Sequence, residues 1–243
     1  MDSAAEEHAT ADEFPVIGIG ASAGGIAAIQ SLLKHIPATA NLTLVVIQHS
    51  VPDKPSQLAT LIGKWTAMPV REPNDGMKVE PHCIYVARPD RILGLKDGMF
   101  VTRPFGLPVA GAGIDTIDSF FESLAEDFGP RAVAVVLSGT GADGAAGAVR
   151  IKQAGGMVLV QDPTTAMYDG MPNAAIANGG ADHILPLSAL ALELLAGTSP
   201  SYVRSSSAAT WADGVTKALD GIIELIQSKA GIDLTAYKTA PLL

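Results

Sequence analysis

The sequence predicts an α/β protein: a doubly wound, mostly parallel sheet with helices on both faces and an antiparallel hairpin region. Three observations lead there. Short, continuous apolar runs recur at 14–20 (FPVIGIG), 42–47 (LTLVVI), 132–137 (AVAVVL) and 157–160 (MVLV). They lack the polar alternation of a half-solvated strand, so they read as strands covered on both sides. Stretches with helical spacing lie between them, the alternation that βαβ units produce. From 68 to 103 the pattern changes to brief extended pieces separated by turn signals, Asn74-Asp75-Gly76 and Asp97-Gly98, which suit antiparallel hairpins.

Each element follows in order. The run 14–20 ends in glycines and leads into a helix that places Ile26, Ile29, Leu32, Leu33 and Ile36 on one face and stops at Pro37. The strand 42–47 is followed by polar Gln48 and His49, and a further helix is expected over about 56–63. In the middle region 84–86, 91–95 and 99–102 are the extended pieces. Helical periodicity returns with Ile117, Phe120, Phe121, Leu124 and Phe128 behind an expected cap at Asp115. The strand 132–137 opens through Gly139 and Gly141 into a small-residue helix over 143–154. The strand 157–160, a short edge piece at 184–185 and a helix over about 187–195 complete the domain.

The chain has 243 residues, with 16 Lys and Arg against 25 Asp and Glu, and 48% of it is hydrophobic. That is apolar material for a sizeable core and excludes wholesale disorder. Five acids and no base stand in residues 1–13, so these read as a solvated acidic tail rather than a signal peptide. Nucleic acid is not an expected partner, because no dense Lys/Arg run exists. Membrane insertion is not expected either, because Gly or a charge interrupts every long apolar run. A lone Cys83 cannot form an internal disulfide, which fits a reducing, cytoplasmic setting.

In a parallel α/β sheet, chemistry gathers beyond the carboxyl ends of the strands. There the first strand delivers Gly20-Ala21-Ser22-Ala23-Gly24, a G-x-S-x-G turn. The second delivers Gln48-His49-Ser50, and the third Ser138-Gly139-Thr140-Gly141-Ala142-Asp143. A serine, a histidine and an aspartate thus converge on one edge. Ser22 suits a nucleophile, His49 the base that takes its proton, and Asp143 the carboxylate that orients the imidazole. The Ala23 N–H, at a helix start, suits an oxyanion donor.

Each residue also has a plainer reading. Ser22 and Asp143 suit helix caps, and His49 alone suits a structural histidine. The glycine turn suits phosphate binding, as in a dinucleotide-dependent oxidoreductase, although no Asp or Glu ends the second strand to hold a ribose. A docking module without catalysis would keep the same fold. His8 and His35 read as solvated, His82 and His183 as structural. No Cys/His cluster has the spacing of a metal site, and no cofactor is expected. In the loop 162–172, Met167, Tyr168 and Met171 suit either a pocket wall or core packing.

The stretches VIGIGASAGG (16–25), VVIQHS (45–50), VVLSGTGADGAAG (135–147) and DPTTAMYDGMPNAAI (162–176) resemble the catalytic domain of CheB-type chemotaxis protein-glutamate methylesterases. The resemblance covers about 14–197. It implies hydrolysis of glutamate γ-methyl esters on receptor helices, with deamidation of receptor glutamines as a further activity, through Ser22, His49 and Asp143. Well-known members carry Thr after the serine and Met in the aspartate loop; Ala23 and Thr140 stand there in this chain. With Met171, these two are the expected oxyanion and substrate contacts. Members commonly have a receiver domain ahead of the catalytic one. Here only the acidic tail precedes the first strand, so gating by such a domain is expected to be missing.

Residues 198–211 are Ser-rich and read as a linker. Beyond it, 212–243 contains an amphipathic helix with Val215, Leu219, Ile222, Ile223 and Ile226 on one face. A lone helix must dock on something to bury that stripe. The stretch 218–243 resembles the start of CheR-type receptor methyltransferases, which implies the front of an esterase–methyltransferase fusion and association through this helix.

Overall fold

The computed structural model describes residues 14–49, 56–105 and 115–197. Among them the chain forms β1 (Val16–Ala21), α1 (Gly25–Leu33), β2 (Thr43–Gln48), α2 (Leu58–Ile62), β3 (Val70–Arg71) and β4 (Ile84–Val86). The hairpin β5 (Arg91–Lys96) and β6 (Met99–Pro104) follows, then α3 (Thr116–Phe128), β7 (Ala132–Val136) and α4 (Ala145–Gln153). The last elements are β8 (Met157–Gln161), α5 (Gly170–Ala177), β9 (His183–Leu185) and α6 (Leu187–Gly197).

Seven strands make one parallel sheet in the order β3-β4-β2-β1-β7-β8-β9. The central strands are apolar on both faces because helices cover both. Buried residues of α1, α2 and α6 pack on one side with Ile17, Ile19, Leu44 and Val46. Those of α3, α4, α5 and the hairpin pack on the other with Val16, Val45 and Ile47. β5 and β6 form a separate antiparallel pair.

The glycines of β1 answer to α3. A Cβ on Gly18 would come 2.9 Å from a ring carbon of Phe121, and one on Gly20 would come 2.5 Å from Cγ2 of Ile117. Ile117, Phe120, Phe121 and Leu124 are fully buried there, and only a strand bare on that face lets the helix settle so close. The Gly-x-Gly pattern at 18–20 therefore serves helix-on-sheet packing inside a strand.

Several expectations need correction. The piece 84–86 is not part of the hairpin region; β4 pairs parallel with both β2 and β3. Ile26, expected on the buried face of α1, is 47% exposed. Asp115 does occupy the N-cap position of α3, but its side chain makes no cap hydrogen bond. Residues 170–177, read partly as loop, form α5, whose small residues give almost no amphipathic pattern to find. The expected tail (1–13), linker (198–211) and terminal helix (212–243) lie outside the described residues. No helix among the described residues is long and apolar enough to cross a membrane.

Candidate active site

Strands added after β2 lie to one side of β1, and β7, β8 and β9 lie to the other. The winding therefore reverses at β1, and a crevice opens past the carboxyl ends there. Three loops meet at this point. Ser22 directly follows β1, His49 directly follows β2, and 137–144 follow β7. Backbone hydrogen bonds carry the ladder past the strand ends: His49 N–H donates to Ala21 O at 3.0 Å and Ser22 N–H to Ser138 O at 3.1 Å. The register, with Ala21 opposite Gln48, thus sets the serine turn beside the histidine.

Gly24 has φ of +74° and is the N-cap of α1, with no side-chain cap. The chain can reverse from strand to helix within three residues because this left-handed position is free of a Cβ. α1 begins beyond Ser22, and Ser22 is not its cap residue. Gly139 closes on the turn from the β7 side, where a Cβ would come 3.0 Å from Ser22 Cβ.

Asp143 is 7% exposed and its carboxylate is fully engaged. His49 Nε2 lies 2.6 Å from Oδ2. Ile117 N–H donates to Oδ2 at 3.0 Å and Asp118 N–H to Oδ1 at 2.8 Å. Those amides are orphan donors in the first turn of α3, so Asp143 caps a helix remote in sequence while holding the imidazole. The hydrogen bond His49 donates to Asp143 holds the His49 pKa above its usual 6.5; burial opposes this, and the charges of Asp143 and Asp115 assist.

Ser22, Ala23 and His49 line one open cleft of about 510 Å³ together with Ile26 and Gln48. Of the expected site residues, His49 and Asp143 are in contact, and Ser22 and Ala23 share the cleft with His49. Thr140 is exposed on the loop whose Gly139 adjoins Ser22. Met171 takes the other of its two readings. It is 0% exposed, its sulfur packs against Gly139, and its N–H donates to Gly139 O at 2.9 Å. Beneath the loop it is a support and not a contact for substrate.

Three features escaped sequence reasoning. Gln48 Nε2 donates to Ser22 O at 2.7 Å. Ser138, 1% exposed, donates from Oγ to Ala23 O and accepts from Tyr168 N–H, both at 2.9 Å. Ile26, expected in the core, stays 47% exposed, whereas Met167 and Tyr168, at 69% and 45%, are the side chains for which exposure was one of two readings. A polar residue ending an otherwise apolar strand was the available signal for Gln48 and Ser138; for the exposure of Ile26 there was none.

A doubly wound sheet with a hydroxyl, an imidazole and an anchored carboxylate at its switch point has the layout of a serine-hydrolase type of α/β protein. The comparisons specify which. The family model described as CheB methylesterase matches residues 17–194, and the chain belongs to this family. It is 37% identical over 177 residues to protein-glutamate methylesterase/protein-glutamine glutaminase 3 of Anaeromyxobacter dehalogenans, covering 72% of this chain and 52% of the relative. It is 34% identical over 183 residues to the protein-glutamate methylesterase/protein-glutamine glutaminase of Photorhabdus laumondii, covering 74% and 52%. The chain thus spans about half the length of the curated relatives it matches. The crystal structure of the Thermotoga maritima CheB methylesterase catalytic domain superimposes with a TM-score of 0.68 at 29% identity, covering 74% of this chain and 97% of that one.

Proposed function

We propose that this chain is a protein-glutamate methylesterase that removes methyl esters from glutamate side chains of signalling receptors, and deamidates glutamines by the same acyl chemistry. The observation that carries the reading is the 2.6 Å contact between His49 Nε2 and Asp143 at the cleft shared with Ser22. Relatives named for both activities support the substrate class.

The reaction runs through an acyl-enzyme. Because Nε2 faces Asp143, Nδ1 is the nitrogen left to act as base. Ser22 Oγ attacks the γ-carbonyl and its proton passes to His49 Nδ1. The imidazolium that forms is stabilised by Asp143 across the ring. The tetrahedral oxyanion takes the Ala23 N–H as one donor, and Thr140 stands on the loop across the turn as the proposed second contact. The C–OCH₃ bond then breaks and His49 returns the proton to departing methanol. Water, deprotonated by the same nitrogen, cleaves the acyl-enzyme to leave glutamate. With a glutamine substrate ammonia departs instead. The same reading places the chain in the cytoplasm and takes 218–243 as the front of a methyltransferase-like segment, on the sequence pattern alone.

Turnover of an activated ester, and methanol release from a methylated receptor fragment, test this reading. Wild type is expected to do both and Ser22→Ala neither, with circular dichroism unchanged. Equal turnover by the variant rejects Ser22 as nucleophile.

A further inference from the structure

Gln48 sits where the two reacting loops leave the sheet. Its amide nitrogen donates to Ser22 O at 2.7 Å and to His49 O at 3.3 Å. Two carbonyl acceptors fix which end of the amide faces them, since the amide oxygen has nothing to donate. The other end is left with an unusual environment: Oε1 is buried and has no hydrogen-bond partner among the described residues. It lies against Gly25, where a Cβ would come 2.5 Å from Oε1.

A buried, unpartnered acceptor weighs against folding, and an apolar side chain of similar shape would avoid that cost. That cost offsets the two hydrogen bonds the amide nitrogen donates, so stability alone explains the amide poorly. Its effect on the serine turn is better defined. Ser22 C=O and Ala23 N–H belong to one trans peptide unit and point in opposite directions. Gln48 Nε2, together with Gly25 N–H at 2.9 Å, takes the carbonyl and so fixes the plane of that peptide. At the opposite edge of that plane, Ala23 N–H is turned away from the Gln48 amide.

We propose that Gln48 is the positioning residue of the oxyanion donor: by gripping Ser22 O it aims Ala23 N–H at the developing negative charge. This deepens the esterase reading and rests on it. The ground-state ester carbonyl depends little on that hydrogen bond, whereas the tetrahedral intermediate depends on it fully, so the effect belongs in kcat rather than KM. Gly25 leaves room for the amide and also for β1, since a Cβ there would come 2.6 Å from Ala21 Cβ.

The test uses the full chain, an activated acetate ester and an aryl boronic acid that forms a tetrahedral adduct with serine. Gln48→Met is expected to melt at or above the wild-type temperature. Its kcat and its boronate affinity should both fall by about 10²-fold, the scale of one lost oxyanion donor, with KM within about twofold. The acid limb of its pH profile should stay in place, because the His49–Asp143 contact is untouched. Gly25→Ala, whose Cβ would crowd both Oε1 at 2.5 Å and Ala21 Cβ at 2.6 Å, should lower kcat as well. A folded Gln48→Met or Gly25→Ala with wild-type kcat overturns the proposal, as does a loss of kcat accompanied by a shifted acid limb. If wild type neither turns over ester nor binds boronate, the esterase reading fails and takes this proposal with it. Normal wild-type turnover with undiminished variants sinks this proposal alone.

Discussion

His49 and Asp143 meet through Nε2 and Oδ2 at 2.6 Å, and the carboxylate is anchored from behind by the first amides of α3. On the proposed mechanism the neutral imidazole carries its proton on Nε2 and Nδ1 is the base, the reverse of the more familiar Ser-His-Asp arrangement. Since Asp143 also raises the His49 pKa, the base loses activity as pH falls through a value above 6.5. Replacing Asp143 by Asn removes the largest raising influence. The acid limb of the ester-hydrolysis profile should move down in pH and kcat should drop by up to ~10⁴-fold. Nitrogen-detected NMR of His49 is expected to show the Nε2-protonated tautomer in wild type and lose that preference in the variant.

Asp118 should betray itself in the pH dependence of stability. Burial pushes its carboxyl up to about 6, with Gly147 N–H opposing and the Asp143 and Asp115 charges adding. A folded-state value above the unfolded 3.8 means the folded chain binds the proton more tightly, so this group's contribution to stability falls as pH rises from about 4 to 6. Asp118→Asn keeps an oxygen to accept from Gly147 N–H and removes the charge. Urea unfolding at pH 4 and pH 7 should find the variant gaining on wild type at the higher pH; an unchanged difference rejects the assignment.

Gly20→Ala should disturb the site without touching it. Its Cβ would come 2.5 Å from Ile117 Cγ2, and Ile117 supplies one of the amides that hold Asp143. A loss of about 1–3 kcal/mol in urea unfolding is expected for such overpacking, with reduced ester turnover. Ile117→Ala in the same chain opens space and should recover part of the turnover.

The exposed apolar side chains near Ser22, the proposed nucleophile, should separate large substrates from small. Met167 and Tyr168 adjoin Gly24, and Ile26 lines the cleft. The triple change to Ser is expected to raise KM for a methylated receptor fragment by about tenfold, a loss of about 1.4 kcal/mol, and to leave kcat/KM for the small ester within about twofold. Parallel losses on both substrates would assign these residues to the reaction centre instead.

The sheet and the convergence of Ser22, His49 and Asp143 were legible because strand ends follow from continuous apolar runs, and a parallel sheet brings its carboxyl ends together. What escaped was whatever depends on contacts between distant segments. Nothing local to 84–86 says that it joins β2, because a three-residue apolar piece fits a hairpin equally well. Asp143 as the acceptor for the first amides of α3 joins residues 25 and 26 positions apart, so sequence pointed only to Asp115, which holds the N-cap position without a side-chain hydrogen bond. Ile26 obeys the helical period and still faces the cleft, since periodicity cannot tell a core from a rim at the first turn of a helix. Met171 had two readings in sequence, and burial under Gly139 decides between them.

The seat of α3 on the bare face of β1 has a kinetic corollary. The acid's tether belongs to that helix, while the hydroxyl and the ring ride on the sheet. Any slackening of the helix against the strand unseats the acid before the sheet itself melts. On slow heating, heat inactivation should run ahead of the loss of ellipticity, making turnover a more sensitive gauge of that one interface than any bulk spectroscopic signal.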